Sequence, residues 1–370
     1  MPIVNLDNSK AIIIFAKNFQ GDVEVLYGPV SHLEYEDLEV DIKTSWNSDK
    51  TIATVNINYE KGDFLSKFFS FSKNFHQIPI KLFVNEEVKS LKLDLSSADL
   101  NIDLDSTEIE ELVIKTYSGD FDVSGAPNSH MLNFFEIDSK SGDAEIDLND
   151  TTVEEFILKS ASGDFDIYNT NIYNCTFSFA SGDLTIENSE IKDLNLNMAS
   201  GDVSVENSLI TNAKINAASG DIFIDSLTDD FYCRIDAASA DVNLYVQGKE
   251  SIYLEGAIKK LASSVKSNVD LIQTYEKSNF DKKRVLKINI LSGDVTIKGK
   301  EIEYLAENTL KKDQTKEKSF SSDDFLTVEE KKILNLLKEE KISRTFAKEL
   351  LKELGYSEED SENFLKNRGV

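Results

Sequence analysis

The residues with the clearest chemical potential in this chain are aspartates that recur at short, nearly regular intervals. Each follows the glycine or alanine of a Ser-Gly-Asp or Ser-Ala-Asp tripeptide, and the regular series is Asp99, Asp120, Asp143, Asp164, Asp183, Asp202, Asp221 and Asp241. If each interval is one coil of a stacked structure, these carboxylates form a column with a spacing of about 4.8 Å. Neighbouring carboxylates at that distance repel by about 0.9 kcal/mol even at the dielectric constant of water, so the column needs partners.

Two kinds of partner would stabilise this aspartate column. Backbone amides of the same corner can donate hydrogen bonds to each carboxylate, as they do in Asx-turns. Alternatively, Ca²⁺ can bridge successive coils, and the candidate ligands are Asp120, Asp143, Asp164, Asp183, Asp202 and Asp221. The repeat has neither the spaced acidic ligands of an EF-hand nor a glycine-rich nonapeptide. We therefore expect structural corners and no specific metal site.

No other group of residues predicts catalysis. Asp229 and Asp230 are adjacent, and two adjacent residues on a strand point to opposite faces, which favours a turn over a pair of catalytic carboxylates. His32, His76 and His130 lie outside any acid–base pattern, and we expect surface or capping roles for them. The sequence thus predicts a protein that is not an enzyme and has neither catalytic residues nor cofactors.

The elements that position the aspartates are short alternating strands on either side of each tripeptide. Around Gly201, for example, apolar residues stand at Leu194, Leu196, Val203 and Val205, with polar residues between them. Period-two alternation indicates strands with one buried face, and its phase changes at the tripeptide, where glycine permits a bend. The predicted structural corners are Gly119, Gly142, Gly163, Gly182, Gly201, Gly220 and Gly293.

Spacings of 19 to 23 residues between most corners predict a mainly β fold, a single-stacked β-solenoid of about nine coils. An antiparallel sandwich or barrel is the alternative for short alternating strands. Cys175 and Cys233 occupy equivalent positions three repeats apart, which would separate them by roughly 14 Å in the stack. Because that distance exceeds disulfide reach, we expect two buried, reduced cysteines.

The chain divides into four predicted regions. Residues 1–80 contain strand-like segments without a regular copy of the repeat and are expected to form an N-terminal β cap. Residues 81–300 form the solenoid, with an insertion at 247–285 that we expect to be helical around Ala257–Gln273. Residues 301–326 are predicted to be a linker.

The fourth region, residues 327–370, has the 3.6-residue periodicity of helices. Thr327 and Glu330 form a capping box, and apolar residues including Phe346 and Leu350 follow on later turns. We expect a small α-helical module here, which is a candidate docking site for an unknown protein partner. In the cap region, the phenylalanine-rich segment Phe64–Phe75 is expected to cover the first coil.

Composition limits the partners and the location of the protein. The 370 residues include 40 Lys and Arg against 67 Asp and Glu, a formal net charge of −27. Such a charge repels nucleic acid and anionic lipid, so neither is an expected partner. The sequence shows neither a signal-peptide pattern nor a run of apolar residues long enough for a membrane span. The expected location is the cytoplasm, and the alternative is the cell surface by a non-Sec route.

The phased Ser-Gly-Asp corners between alternating strands resemble the bacterial putative-adhesin β-strand-repeat family, a domain of largely unassigned function. The segment Ile333–Leu354 is similar to a short helical module attached to such repeats in envelope-stress-associated proteins. The resemblance implies a non-enzymatic structural or protein-interaction scaffold, with a link to cell-envelope stress. The alternative that it implies is a surface-exposed adhesin-like protein that binds a protein or a carbohydrate.

Overall fold

The computed structural model describes residues 2–35, 40–59, 80–125, 131–255, 264–274 and 284–300, together with Lys348. Up to residue 300 the described residues form strands, turns and loops and no helix. The strands are β1 (Ile3–Asn5), β2 (Ala11–Tyr27), β3 (His32–Tyr35), β4 (Val40–Trp46), β5 (Ile52–Tyr59), β6 (Ile80–Val84), β7 (Ser90–Asp103), β8 (Glu111–Ser118), β9 (Phe121–Ser124), β10 (Leu132–Ser139), β11 (Ala144–Asp147), β12 (Thr152–Ser160), β13 (Phe165–Tyr168), β14 (Asn171–Phe179), β15 (Leu184–Glu187), β16 (Glu190–Met198), β17 (Val203–Glu206), β18 (Leu209–Ser219), β19 (Ile222–Ser239), β20 (Val242–Gln247), β21 (Ile252–Glu255), β22 (Val265–Ser267), β23 (Leu271–Thr274), β24 (Val285–Ser292) and β25 (Val295–Lys300).

Each repeat contributes one long and one short strand, and both pair in parallel with the same strands of the neighbouring repeats. The long-strand ladder runs through β8, β10, β12, β14, β16 and β18. The short-strand ladder runs through β9, β11, β13, β15 and β17. Leu196, Ile215 and Ile235 are direct neighbours in successive coils, as the stacked arrangement requires. The parallel pairing excludes the antiparallel alternative for this part of the chain.

The core lies between the two ladders and receives the alternate, apolar residues of each strand. The buried Phe135, Phe156 and Phe177 stack along it, with ring centroids 4.5 and 5.0 Å apart for successive pairs. Cys175 and Cys233 are also buried here, unpaired and separated by Leu194 and Ala213 in the register, as expected. Burial raises the pKa of both thiols, that of Cys233 to about 12.

One coil was not recognised in the sequence and lies within the first 80 residues. The two halves of β2 pair with the two halves of β7, and Gly21 and Asp22 lie in register with Ala98 and Asp99. The prediction that this region lacks a regular copy of the repeat is therefore wrong for residues 11–27. The corner reads Gln20-Gly21-Asp22 in place of Ser-Gly-Asp, and it is separated from the next corner by several other strands.

The N-terminal coils are stacked out of chain order. Strands β5 and β6 pair with the two halves of β2 on the side opposite β7, although they follow β2 in the chain. Antiparallel strands then end both ladders at this side: β4 pairs with β5, β3 pairs with β6, and β1 pairs with β3. The chain therefore places β2 between two coils that are formed from later residues.

The C-terminal coils show the same interleaving. Strands β24 and β25 pair with the last half of β19 and with β20, and their other edges pair with β21 and β22. The last strands of the repeat thus lie between coils that precede them in the chain. Because β22 and β23 occupy Val265–Ser267 and Leu271–Thr274, the helix predicted around Ala257–Gln273 is wrong for this described part.

Several predictions concern residues outside the described ranges. These are the phenylalanine-rich segment Phe64–Phe75, the linker at 301–326 and, apart from Lys348, the helical module at 327–370. The chain separates into two compact units, Met1–Glu303 and Tyr304–Val370, and the ladders belong to the first. Among the described residues no helix is both long and apolar enough to cross a membrane.

A buried arginine lies at the beginning of the interleaved C-terminal coil. Arg284 is only 5% exposed, and its Nη1 donates to Oε2 of Glu250 at 2.7 Å. Its Nε and Nη2 are buried and have no hydrogen-bond partner among the described residues, while its guanidinium lies 6.0 Å from the centre of the Phe231 ring. A buried guanidinium with two unsatisfied nitrogens lowers stability compared with an apolar side chain of similar size.

Replacing Arg284 and removing its partner Glu250 should therefore have different effects on the free energy of unfolding. We expect Arg284→Met to leave the free energy of unfolding unchanged or to raise it by about 1–4 kcal/mol. We expect Glu250→Ala to lower it by about 1–3 kcal/mol, because Nη1 of the buried guanidinium then loses its acceptor. Urea unfolding of both variants checks the pair, and equal losses of stability would contradict this account.

Candidate functional site

The predicted corner glycines adopt a backbone conformation that other residues rarely use. Gly119, Gly142, Gly163, Gly182, Gly201, Gly220 and Gly293 have φ angles between 109° and 123°. A Cβ atom added to Gly201 would also overlap the carbonyl oxygen of Gly182 in the preceding coil, and the other corner glycines are packed in the same way. Two separate constraints thus require glycine at these positions: the φ angle and the close approach of successive corners.

The aspartates of these corners form the expected column, but their hydrogen bonds differ from those predicted. The amide of Asp202 donates to Oδ1 of Asp183 at 2.7 Å, and the amide of Asp221 donates to Oδ1 of Asp202 at 2.7 Å. The same bond recurs from Asp99 to Asp294, and Oδ1 of Asp294 accepts from the amide of Ser264. Each carboxylate therefore accepts from the next coil rather than from its own corner.

The hydrogen bonds of this column occupy part of each carboxylate that a Ca²⁺ site would use. One oxygen of each candidate ligand from Asp120 to Asp221 already accepts a backbone N–H. Within the described ranges, no group of three or more His, Cys, Asp or Glu side chains is arranged to hold a metal ion. At the N-terminal end, burial and then the carboxylates of Asp99 and Glu24 raise the pKa of Asp22.

A second corner lies between each short strand and the next long strand, where the sequence indicates a polar return such as Glu187-Asn188-Ser189 but not its backbone conformation. Asn169, Asn188 and Asn207 have φ angles of 48°, 51° and 48°, the left-handed conformation that asparagine tolerates. The residue after each asparagine is buried: Oγ of Ser189 accepts from the amide of Thr170 at 3.2 Å. Oγ of Ser208 similarly accepts from the amide of Ser189 at 3.0 Å. The recurring Asn-Ser or Asn-Thr pair was the available sequence signal.

The residues considered for catalysis are not brought together. The turn predicted at Asp229 and Asp230 is wrong, because both lie within strand β19, in the part that passes from the short-strand ladder to the long-strand ladder. The ring of His32 stacks on Phe83 with centroids 4.6 Å apart, and its Nδ1 lies 2.8 Å from the carbonyl oxygen of Val30. His76 and His130 are outside the described residues.

The outward side chains of the two ladders differ strongly in charge. On the short strands from the Ala98 coil to the Gly220 coil, the residues two and four places after each corner aspartate include no basic side chain. The acidic ones are Asp103, Asp122, Glu145, Asp147, Asp166, Glu187, Glu206 and Asp225. With the aspartate column beside it, this ladder presents a continuous acidic surface.

On residues 176–180, 195–199 and 214–218, the long-strand ladder carries a nearly uncharged surface that we call the neutral face. Its outward residues are Thr176, Ser178, Ala180, Asn195, Asn197, Ala199, Lys214, Asn216 and Ala218, of which only Lys214 is charged. Outside this face, the first half of β16 carries the outward Glu190, Lys192 and Asp193. Here Nδ2 of Asn216 donates to Oδ1 of Asn197 at 2.8 Å, so the amide side chains are linked across coils. A depression of about 670 Å³ lies on this surface, and a second one, of about 290 Å³, lies at its edge.

With this geometry established, the chain can be compared with known proteins. Residues 126–298, somewhat less than half of the chain, match the family model described as Toastrack DUF4097. This segment includes the corners from Gly142 to Gly293. Comparison with curated proteins gives no match.

Solved structures give two similarities at low identity. A putative cell adhesion protein from Clostridium sporogenes is 12% identical, with 81% of this chain and 98% of that chain covered and a TM-score of 0.26. A putative adhesin from Parabacteroides merdae is 14% identical, with 65% and 94% covered and a TM-score of 0.37.

Two substitutions in the aspartate column separate the effect of its charge on stability from the effect of its hydrogen bonds. Asp183→Asn keeps an oxygen acceptor for the Asp202 amide and removes one repulsive charge, so we expect stability equal to or above that of the wild type. Asp183→Ala removes the acceptor, and we expect a loss of about 1 kcal/mol. Chemical denaturation measures both, and a greater loss for Asp183→Asn than for Asp183→Ala would count against the column of bonds.

The corner glycine provides a second test. Gly201→Ala places a Cβ against the Gly182 carbonyl at an unfavourable φ, and we expect a loss of at least about 2 kcal/mol. Ala199→Gly, at an exposed position two residues away, should lower the free energy of unfolding by only about 0.5–1 kcal/mol. Thermal unfolding of the two variants makes the comparison, and a Gly201→Ala protein as stable as the wild type would refute the steric argument.

Proposed function

We propose that this protein is a non-catalytic binding scaffold of the putative-adhesin repeat type, built from about nine coils. The neutral face is its binding surface. The observation that carries this proposal is the contrast between a nearly uncharged surface on three adjacent coils and a net charge of −27 for the whole chain. Charged residues are depleted at the centres of protein interfaces, because burying them against a partner costs desolvation energy.

The organisation of the corners supports a structural role for the acidic residues in preference to a catalytic one. An acid–base catalyst needs a titratable group that is placed beside a substrate in a cleft. The corner aspartates instead accept backbone hydrogen bonds from the next coil, where they align the ladders. A regular, hydrogen-bonded stack holds outward side chains at fixed spacing, which suits a preorganised binding surface.

The proposal includes two finer expectations that derive from the sequence resemblance. Residues 327–370 recruit an unknown protein partner, and the scaffold acts in the response to cell-envelope stress in the cytoplasm. The second candidate function is that of a surface-exposed adhesin-like protein that binds a protein or carbohydrate partner. It is favoured by the phased Ser-Gly-Asp repeats. Cell fractionation separates the two, because the first requires cytoplasmic protein and the second requires protein accessible on intact cells.

The neutral face itself can be tested by site-specific photo-crosslinking in the source cells. A diazirine-bearing residue at Asn197 should give a discrete adduct, whereas the same residue at Asn243, which is on an outward position of the short-strand ladder, should give none. Adducts of equal yield from both positions, or none from Asn197, would overturn the assignment of the neutral face as the binding surface.

A further inference from the structure

The smaller depression, at the edge of the neutral face, is a groove that crosses four neighbouring strands of the long-strand ladder. It has a volume of about 290 Å³, at the lower end of the roughly 300–1,000 Å³ of small-molecule sites. Its lining includes Thr176, Asp193, Asn195, Lys214 and Tyr232. Hydroxyl, carboxylate, amide, ammonium and aromatic groups therefore meet within the space of one small ligand.

Several of these polar groups have unused hydrogen-bonding capacity. Nδ2 of Asn195 forms no hydrogen bond with the described part of the chain, whereas Oδ1 of the same amide is shielded from solvent and out of reach of a ligand. Oδ1 of Asp193 accepts from Nδ2 of Asn212 at 2.8 Å, which orients the carboxylate. Lys214 forms no ion pair with the described part of the chain and is exposed. The groove thus offers both donors and acceptors that the fold itself does not use.

An aromatic side chain borders this polar set. Tyr232 is 38% exposed, and its hydroxyl donates to Oε2 of Glu255 at 3.3 Å, which restrains the ring at the edge of the groove. Burial, and then the negative charge of Glu255, raises the pKa of Tyr232, so the phenol remains protonated at physiological pH. The ring supplies apolar contact area beside the hydrogen-bonding groups.

From this arrangement we propose that the groove binds a neutral saccharide unit, an assignment that rests on the neutral face being the binding surface. Vicinal hydroxyl groups of a sugar act as donor and acceptor together, which matches the amide of Asn195, the carboxylate of Asp193 and the ammonium of Lys214. The C–H face of the sugar ring packs on an aromatic ring such as Tyr232. The net charge of −27 disfavours polyanionic sugars.

The experiment uses the full-length, isotope-labelled protein and four separate probes: glucose, galactose, mannose and N-acetylglucosamine. Titration is followed through the side-chain amide resonances of Asn195 and Asn212. We expect at least one probe to cause saturable shifts of these resonances, with a dissociation constant of about 1 mM. Sodium phosphate is titrated in parallel, because Lys214 alone would bind an anion.

Variants determine whether the shifts come from the groove. Asn195→Ala and Lys214→Ala should each weaken binding by about fivefold or more, and the matched control Asn243→Ala on the other ladder should leave it unchanged. Unaltered backbone amide spectra show that the variants remain folded. No saturable shift with any sugar, shifts with phosphate only, or equal effects of Asn195→Ala and Asn243→Ala would each overturn the proposal. An adduct at Asn197 combined with no sugar binding would remove this inference and leave the scaffold function in place.

Discussion

The close contact between successive Ser-Gly-Asp corners is the constraint on which the rest of this fold depends. At each corner that carries glycine, the backbone passes so near the preceding corner that no side-chain carbon fits, whereas alanine stands at the corners of Ala98 and Ala240. The amide that follows this glycine donates to the aspartate of the coil beneath. Asp183 and Asp202 illustrate the pairing, in which one residue type fixes the spacing, the register and the bend together. The opposite corner repeats the principle with a left-handed asparagine and a buried hydroxyl, as at Asn188 and Ser189.

The interleaving of coils at both ends of the stack opposes fraying of the outer coils. A simple stack presents its first and last coils to solvent, and these can fray independently. In this chain β2 is held between β5–β6 and β7, and β24–β25 are held between β19–β20 and β21–β22. The outer coils therefore cannot open without exposing a coil that is bonded on its other side to the regular stack. The burial of Arg284 at such a junction is tolerated within this arrangement, although two of its nitrogens have no partner in the described part of the chain.

Local sequence patterns predicted the coil period, the two strands of each coil and the corner glycines, because each depends on residues within about twenty positions. The direction of the aspartate hydrogen bonds was not predictable in this way, since a carboxylate can reach its own corner or the next coil equally well. The coil at Gly21 was missed because its tripeptide differs and its neighbours in space come from later in the chain. The neutral face was not predicted, because it depends on which residues lie side by side on adjacent strands, such as Asn195 and Lys214.

The most direct test of the central claim is a scalar coupling across the corner hydrogen bond in deuterated, ¹⁵N- and ¹³C-labelled protein. The account predicts a coupling between the amide nitrogen of Asp202 and the carboxylate carbon of Asp183, repeated between Asp221 and Asp202. Couplings across the backbone bonds of the ladders serve as the internal reference for sensitivity. If those reference couplings are observed and each corner amide is coupled to an acceptor within its own coil, the account of how this stack is held together is contradicted.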